Sequence, residues 1–130
     1  MLVVVDINVD PVNDLTSQGR HAVFGESSKN EVLHAAVVEK ALYLVVTIPD
    51  VSLTAATVAA AMGLNPELRV LVRARFLNDK ALLCSLGASA IAFEEEEVAK
   101  TLANLVLEDL KGDLAGACEL PPRPGQEAGA

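Results

Sequence analysis

A few short stretches of this 130-residue chain carry side chains able to do chemistry. In LVVVDIN, Asp6 and Ile7 close an apolar run, and a carboxylate at a strand end can accept hydrogen bonds from the vicinal hydroxyls of a ribose. In GESS, Gly25 turns the chain and Glu26, Ser27 and Ser28 follow it in a loop. Thr47, Ile48 and Pro49 end the run ALYLVVTIP. In RVLVRAR, Arg73 and Arg75 alternate along a strand and share a face, so the pair could hold an anion. Ion pairs with acids such as Asp50 or Asp79 would occupy those guanidinium groups equally well.

Other reactive side chains build no active site. His21 opens a strand and His34 lies on a helix, with no acid, cysteine or second histidine at ligand spacing, so both read as structural. Glu94 to Glu97 are consecutive and cannot converge on one ion; acids in a first turn suit the helix dipole, and the run reads as a solvated helix start. No GxSxG elbow surrounds Ser27 and Ser28, and capping explains them. Lacking a nucleophile with its base, or two acids in contrasting environments, the chain is expected to be no enzyme and to hold no metal.

The elements that must position these residues alternate. Leu2–Ile7 reads as a strand, then Asp10 caps and Pro11 begins a helix through Gln18. His21–Phe24 is a second strand, and Ser28 caps a helix from Lys29 to Val38. Ala41–Ile48 is the strongest strand signal and is placed in the middle of the sheet; Ser52 caps the helix after it, which Asn65-Pro66 ends. Arg69–Ala74, a helix from Asn78 or Asp79 to Leu86, Ala90–Phe93 and a closing helix from Glu94 to Lys111 complete five βα units. The order implies an α/β three-layer domain over residues 1–111 with one parallel five-stranded sheet. Its ligand crevice lies at the carboxyl ends of the strands, where Asp6, Gly25, Thr47 and Arg75 fall. Residues 112–130, with Pro121, Pro122 and Pro124, read as a flexible tail.

Composition agrees with that architecture and narrows the partners. The chain is 52% hydrophobic but 3% aromatic, so Val, Leu, Ile and Ala must build the core, as in strands covered on both faces by helices. A formal charge of −8 repels nucleic acid and anionic membrane surfaces. No apolar stretch reaches the roughly 18 to 20 residues of a membrane span, so no insertion is expected, although the chain could be the soluble arm of a membrane protein. Cys84 and Cys118 lack CxxC spacing and read as reduced thiols in a cytoplasmic setting.

In sequence, VVVDINVDPV, GRHAVFGESSKNEVLHAA, LVVTIPD, LNPELRVLVRARF and SLGASAIAFEEEEVA resemble the nucleotide-binding domain of potassium-transport regulators called RCK, KTN or TrkA-N. The likeness is strongest to the form at the C-terminus of Kef-type cation/proton antiporters, and it spans Leu2 to Leu110. The resemblance implies a Rossmann-like fold, a bound NAD(H) or adenine nucleotide such as AMP or ATP, a homodimer, and a membrane cation transporter as partner. By it Asp6 holds the adenosine ribose, and Gly25 and Glu26 lie near the adenine where the family has Gly-Asp. Thr47 to Pro49 would border the phosphates and the distal ribose, with Arg73 or Arg75 supplying positive charge. Calcium-gated relatives carry acids near those arginines, so no calcium site is implied. The family's first strand and GxGxxG turn have no counterpart here, so dinucleotide affinity is expected to fall for want of their backbone N–H donors. Removing that strand from the order 3-2-1-4-5-6 leaves 2-1-3-4-5, and the strands are expected to close the gap or exchange an element between two chains. The helix from Val98 to Leu110 either completes the core or lies against a second subunit.

Three other readings compete with a nucleotide sensor in potassium transport. One is a ligand-free dimerisation module derived from the same fold. A phosphorelay receiver shares the strand order but has two adjacent acids after its first strand, an aspartate ending the third and a lysine ending the fifth. Here Ile7 follows Asp6, Thr47 ends the third strand and no lysine follows Phe93. An NAD-dependent oxidoreductase fits least, with no substrate domain or proton donor.

Overall fold

Short runs of Val, Leu and Ala form two parallel sheets in the computed structural model, which describes residues 1–113. β1 (Val3–Asp6) pairs with β2 (His21–Phe24), Val3 opposite His21 and Asp6 opposite Phe24. β3 (Tyr43–Val46), β4 (Arg69–Ala74) and β5 (Ala88–Phe93) form the second sheet in that order. α1 (Val9–Ser17) joins β1 to β2. α2 (Asn30–Ala35) and a 3-10 turn (Val38–Lys40) lead to β3, and α3 (Val51–Leu64) to β4. A second 3-10 turn (Leu77–Asp79) and α4 (Lys80–Ser85) lead to β5, which α5 (Glu94–Lys111) follows.

The α/β class and the parallel strands are as the sequence implies, but the single five-stranded sheet is not. β1 and β3 do not hydrogen-bond to each other, so the gap is not closed and β3 is an edge strand, where the sequence pattern placed it centrally. The helix layer, and not a strand ladder, joins the two sheets. Leu33 of α2 and Val38 of the turn belong to the same core as Val46, Val58, Ala61, Val70, Val72, Leu83 and Phe93. α2 rests on α3, and packed helices lie about 8–10 Å apart, roughly twice the ~4.8 Å spacing of paired strands. A helix layer can therefore hold two strands in one unit without bringing them into ladder distance. On β3 the alternation is plain: Val46 is buried and Leu44 half-buried, whereas Tyr43 and Val45 are 58% and 63% exposed.

Several local devices complete this unit, which runs from Met1 to Glu97. The β4–β5 register shifts at Val70/Leu71, so Ser89 falls out of the ladder, and its hydroxyl accepts the Val70 N–H at 3.1 Å. The Asn65 amide closes α3 and donates to the carbonyls of Val38 and Ala41, each at 3.0 Å, pinning the 3-10 turn. Val37, which enters that turn, is left-handed at φ 60. His34 and Glu39 pair side chain to side chain on either side of it.

The caps differ from those expected. α1 and α2 start after Asn8 and Lys29 with no side-chain cap; Ser28 lies one residue before the N-cap of α2, and its hydroxyl donates to Glu26. Asp50, not Ser52, caps α3 by accepting the Leu53 N–H at 2.8 Å. From Val98 onward α5 belongs to a second unit, and Val98, Leu102, Leu105 and Val106 form an exposed apolar row along it. The expected tail, beyond Asp113, lies outside the described residues. Among the described residues, no helix is long and apolar enough to cross a membrane.

Candidate functional site

β1 and β2 bring the first group of candidate residues together at their carboxyl ends. Asp6, half-buried, accepts the Asn8 N–H on Oδ1 at 2.8 Å, while its backbone oxygen accepts the Gly25 N–H at 3.0 Å. That second bond continues the ladder by one step and holds Gly25 beside Asp6. Gly25 has φ +150, and a Cβ there would lie 2.5 Å from Val32 Cγ2, so the position excludes every side chain on two grounds. Glu26 accepts the Ser28 hydroxyl at 2.6 Å. Ser27 lies 2.9 Å from Thr57 of α3, hydroxyl to hydroxyl. Ile7 is 59% exposed beside them.

These side chains leave a rim of acceptors. Carboxylates only accept. Thr57 commits its one hydroxyl proton to the Leu53 carbonyl at 2.8 Å, so Ser27 is the donor in its bond to Thr57. Asp6, Glu26 and Ser27 thus present oxygen lone pairs to anything that docks at these strand ends.

The second group sits at the carboxyl ends of β3 and β4. Thr47 and Pro49 are exposed, and the Ile48 carbonyl accepts the Thr54 hydroxyl at 3.1 Å. Arg73 Nε binds Glu94 Oε1 at 2.5 Å, so its partner is neither Asp50 nor Asp79. Glu95 accepts the Leu77 N–H at 3.4 Å, and the glutamate run is therefore partly engaged at the strand ends, not solely a solvated helix start. Arg75 lies one residue beyond β4 with its guanidinium 5.4 Å from the centre of the Phe76 ring. It makes no ion pair among the described residues.

Ile48, Pro49, Thr54, Arg73 and Arg75 line a cleft of only about 10 Å³, so a ligand there would lie on the surface and not in a cavity. The larger concavity, about 290 Å³, is at the amino ends of β1 and β2, lined by Val3, Arg20, His21 and Val37 among others, and takes in none of the candidate residues. Sequence reasoning missed Thr54 and Thr57. The available signal was their spacing of three, which places two hydroxyls on one face of a helix otherwise rich in alanine. Among the described residues no three His, Cys, Asp or Glu side chains are grouped to hold a metal ion.

Residues 1–94 match the family described as the TrkA-N domain. The chain belongs to that family. This TrkA-N domain is 30% identical over 105 residues to YbaL of Escherichia coli (strain K12), a protein named as a cation/proton antiporter. The match covers 81% of the chain and 19% of YbaL, so the chain spans about a fifth of that relative. The crystal structure of the TrkA-N domain of the E. coli inner membrane protein YbaL superposes with a TM-score of 0.78, covering 81% of this chain and 78% of that one. Two further structures share the fold at lower identity. The NAD(P)-binding domain of an exopolyphosphatase-related protein from Archaeoglobus fulgidus has TM-score 0.71 at 15% identity, covering 82% and 79% of the two chains. The Kef C-terminal domain of Shewanella denitrificans, in AMP-bound form, has TM-score 0.63 at 20% identity, covering 88% and 81%.

Proposed function

We propose that this TrkA-N domain is a regulatory sensor of NAD(H) or an adenine nucleotide such as AMP or ATP in a potassium or other cation transport system. The observation that carries the reading is the acceptor rim of Asp6, Glu26 and Ser27 on one sheet, with Arg75 on the other making no ion pair among the described residues. A nucleoside meets such a rim with donors, its ribose hydroxyls and exocyclic amino group, while its phosphates suit a guanidinium and are repelled by the acids. Asp6 would hold the ribose, Gly25 and Glu26 the base, and Thr47 to Pro49 with Arg73 or Arg75 the phosphates. The AMP-bound Kef domain and the NAD(P)-binding Archaeoglobus domain support a nucleotide ligand, and the antiporter name of YbaL supports a cation-transport setting.

The domain acts as a sensor and not as an enzyme. Ligand favours one arrangement of two paired copies, and that preference biases a membrane cation transporter from its cytoplasmic side. The exposed row of Val98, Leu102, Leu105 and Val106 supports pairing, and equally supports a second reading as a ligand-free dimerisation module. Isothermal titration of the 130-residue chain with NADH, NAD, AMP and ATP, with its mass in solution recorded alongside, separates the two. Binding that Asp6→Ala abolishes is the expected result; a folded dimer that binds none of the four leaves the dimerisation module.

A further inference from the structure

We infer that Thr57 of α3 is a positioning residue for the nucleotide, an inference that rests on the reading above. Its buried hydroxyl ties Ser27, and with it the loop after β2, to the same helix that holds the loop after β3.

The two sheets share no hydrogen bonds, so no backbone ladder sets the separation between the Asp6–Glu26 rim and the Ile48–Arg75 cleft. α3 supplies that reference. Thr54, 2% exposed, donates to the Ile48 carbonyl at 3.1 Å and fixes the loop that leads from β3. Thr57, three residues on and 1% exposed, receives Ser27 at 2.9 Å and fixes the loop that leads from β2. One face of one helix thus registers both ligand-bearing loops.

Packing alone does not call for this hydroxyl. Valine has nearly the shape of threonine and would fill the site. Thr57 bonds within its own helix to the Leu53 carbonyl, and its partner outside the helix is Ser27. The bond also sets polarity: with its proton directed to Thr57, Ser27 offers the ligand an acceptor, in keeping with Asp6 and Glu26 beside it.

The test uses the whole 130-residue chain with AMP and NADH as probes, comparing Thr57→Val, Thr57→Ser, Ser27→Ala and the double variant Ser27→Ala/Thr57→Val. One hydrogen bond's worth of positioning predicts that Thr57→Val weakens AMP binding about fivefold, and Ser27→Ala weakens it further because it also removes the acceptor that faces the ligand. The double variant should be no weaker than Ser27→Ala, and Thr57→Ser should bind as wild type does. Without ligand, amide hydrogen exchange over residues 25–29 should quicken in Thr57→Val and Ser27→Ala but not in Thr57→Ser. Losses that multiply in the double variant, or exchange unaltered by Thr57→Val while AMP still binds the wild type, overturn the role of Thr57 alone. A wild-type chain that takes neither AMP nor NADH overturns the nucleotide reading, and the ligand role of Thr57 falls with it.

Discussion

Gly25 is the position at which the candidate site is most tightly specified, and a double-mutant cycle with Val32 tests why. An alanine Cβ would stand 2.5 Å from Val32 Cγ2 and 3.4 Å from Cγ1, on a backbone at φ +150. Two separable penalties follow. The backbone conformation costs a non-glycine residue about 1–3 kcal/mol. The overlap forces Val32 off its rotamer or shifts α2, an overpacking cost of about 1–3 kcal/mol. Gly25→Ala should therefore destabilise by about 2–6 kcal/mol. Val32→Ala, at a half-buried position, should cost about 1 kcal/mol by itself. In the double variant the overlap vanishes and the backbone strain persists, so the loss should fall short of the sum of the single losses by about 1–3 kcal/mol. Urea unfolding followed by far-UV circular dichroism measures all four corners. Additivity within about 0.5 kcal/mol would refute the contact with Val32 as the cause.

Three further outcomes follow from the fold. Asn65→Ala removes two hydrogen bonds to Val38 and Ala41 and should cost about 2 kcal/mol, while Asn65→Asp sets an acceptor against two carbonyls and should cost about 3 kcal/mol. Denaturant titration that ranks aspartate above alanine would refute that geometry. Val37→Gly relieves a left-handed β-branched residue that is 37% exposed; the relief of about 1–2 kcal/mol exceeds glycine's entropic cost, and a slightly higher melting temperature is expected. Glu94→Gln frees Arg73 at the strand ends. Because that pair is half-exposed, stability should change by less than about 1 kcal/mol, whereas ATP affinity measured by titration should rise about threefold.

The sequence was most legible where local pattern and local structure coincide. VVVD, HAVF and RVLVRA are strands because their Val and Phe residues suit a pleated surface, and Gly25 was visible as a turn because glycine accepts its conformation without strain. The resemblance in turn set Asp6 beside Gly25, and a single backbone bond of 3.0 Å joins them. What escaped was every feature decided by a distant partner. β3 was placed centrally on its hydrophobicity, but a strand's neighbours are set by long-range contacts, and here its outer edge lies outside both ladders while α2 and α3 share the core beneath it. Arg73 found Glu94, 21 residues away, and Ser27 found Thr57, 30 residues away; no periodicity encodes such pairs. The caps failed for a nearer reason. α2 starts at Asn30, so Lys29 stands at the capping position expected of Ser28, whose hydroxyl donates to the Glu26 carboxylate two residues back.

The division of the strands into two sheets gives the proposed sensing a physical basis. A ligand moves an equilibrium only by the difference in its affinity for the two states. A molecule that touched β1 and β2 alone would bind at Asp6 and Glu26 with equal strength wherever the other sheet stood, and would shift nothing. A nucleotide with its nucleoside on that rim and its phosphate at Arg75 binds best at one separation of the two groups, so its affinity depends on how they are spaced. No ladder bonds between β1 and β3 oppose a change in that spacing. What resists it is the α2–α3 packing and the hydrogen bond from Ser27 to Thr57. The reading thus requires the phosphate to matter more for the response than for the binding. Adenosine should occupy the rim yet leave hydrogen exchange at residues 48–50 unaltered, whereas AMP should slow it, and equal protection by both would remove the reason for linking the split sheet to sensing.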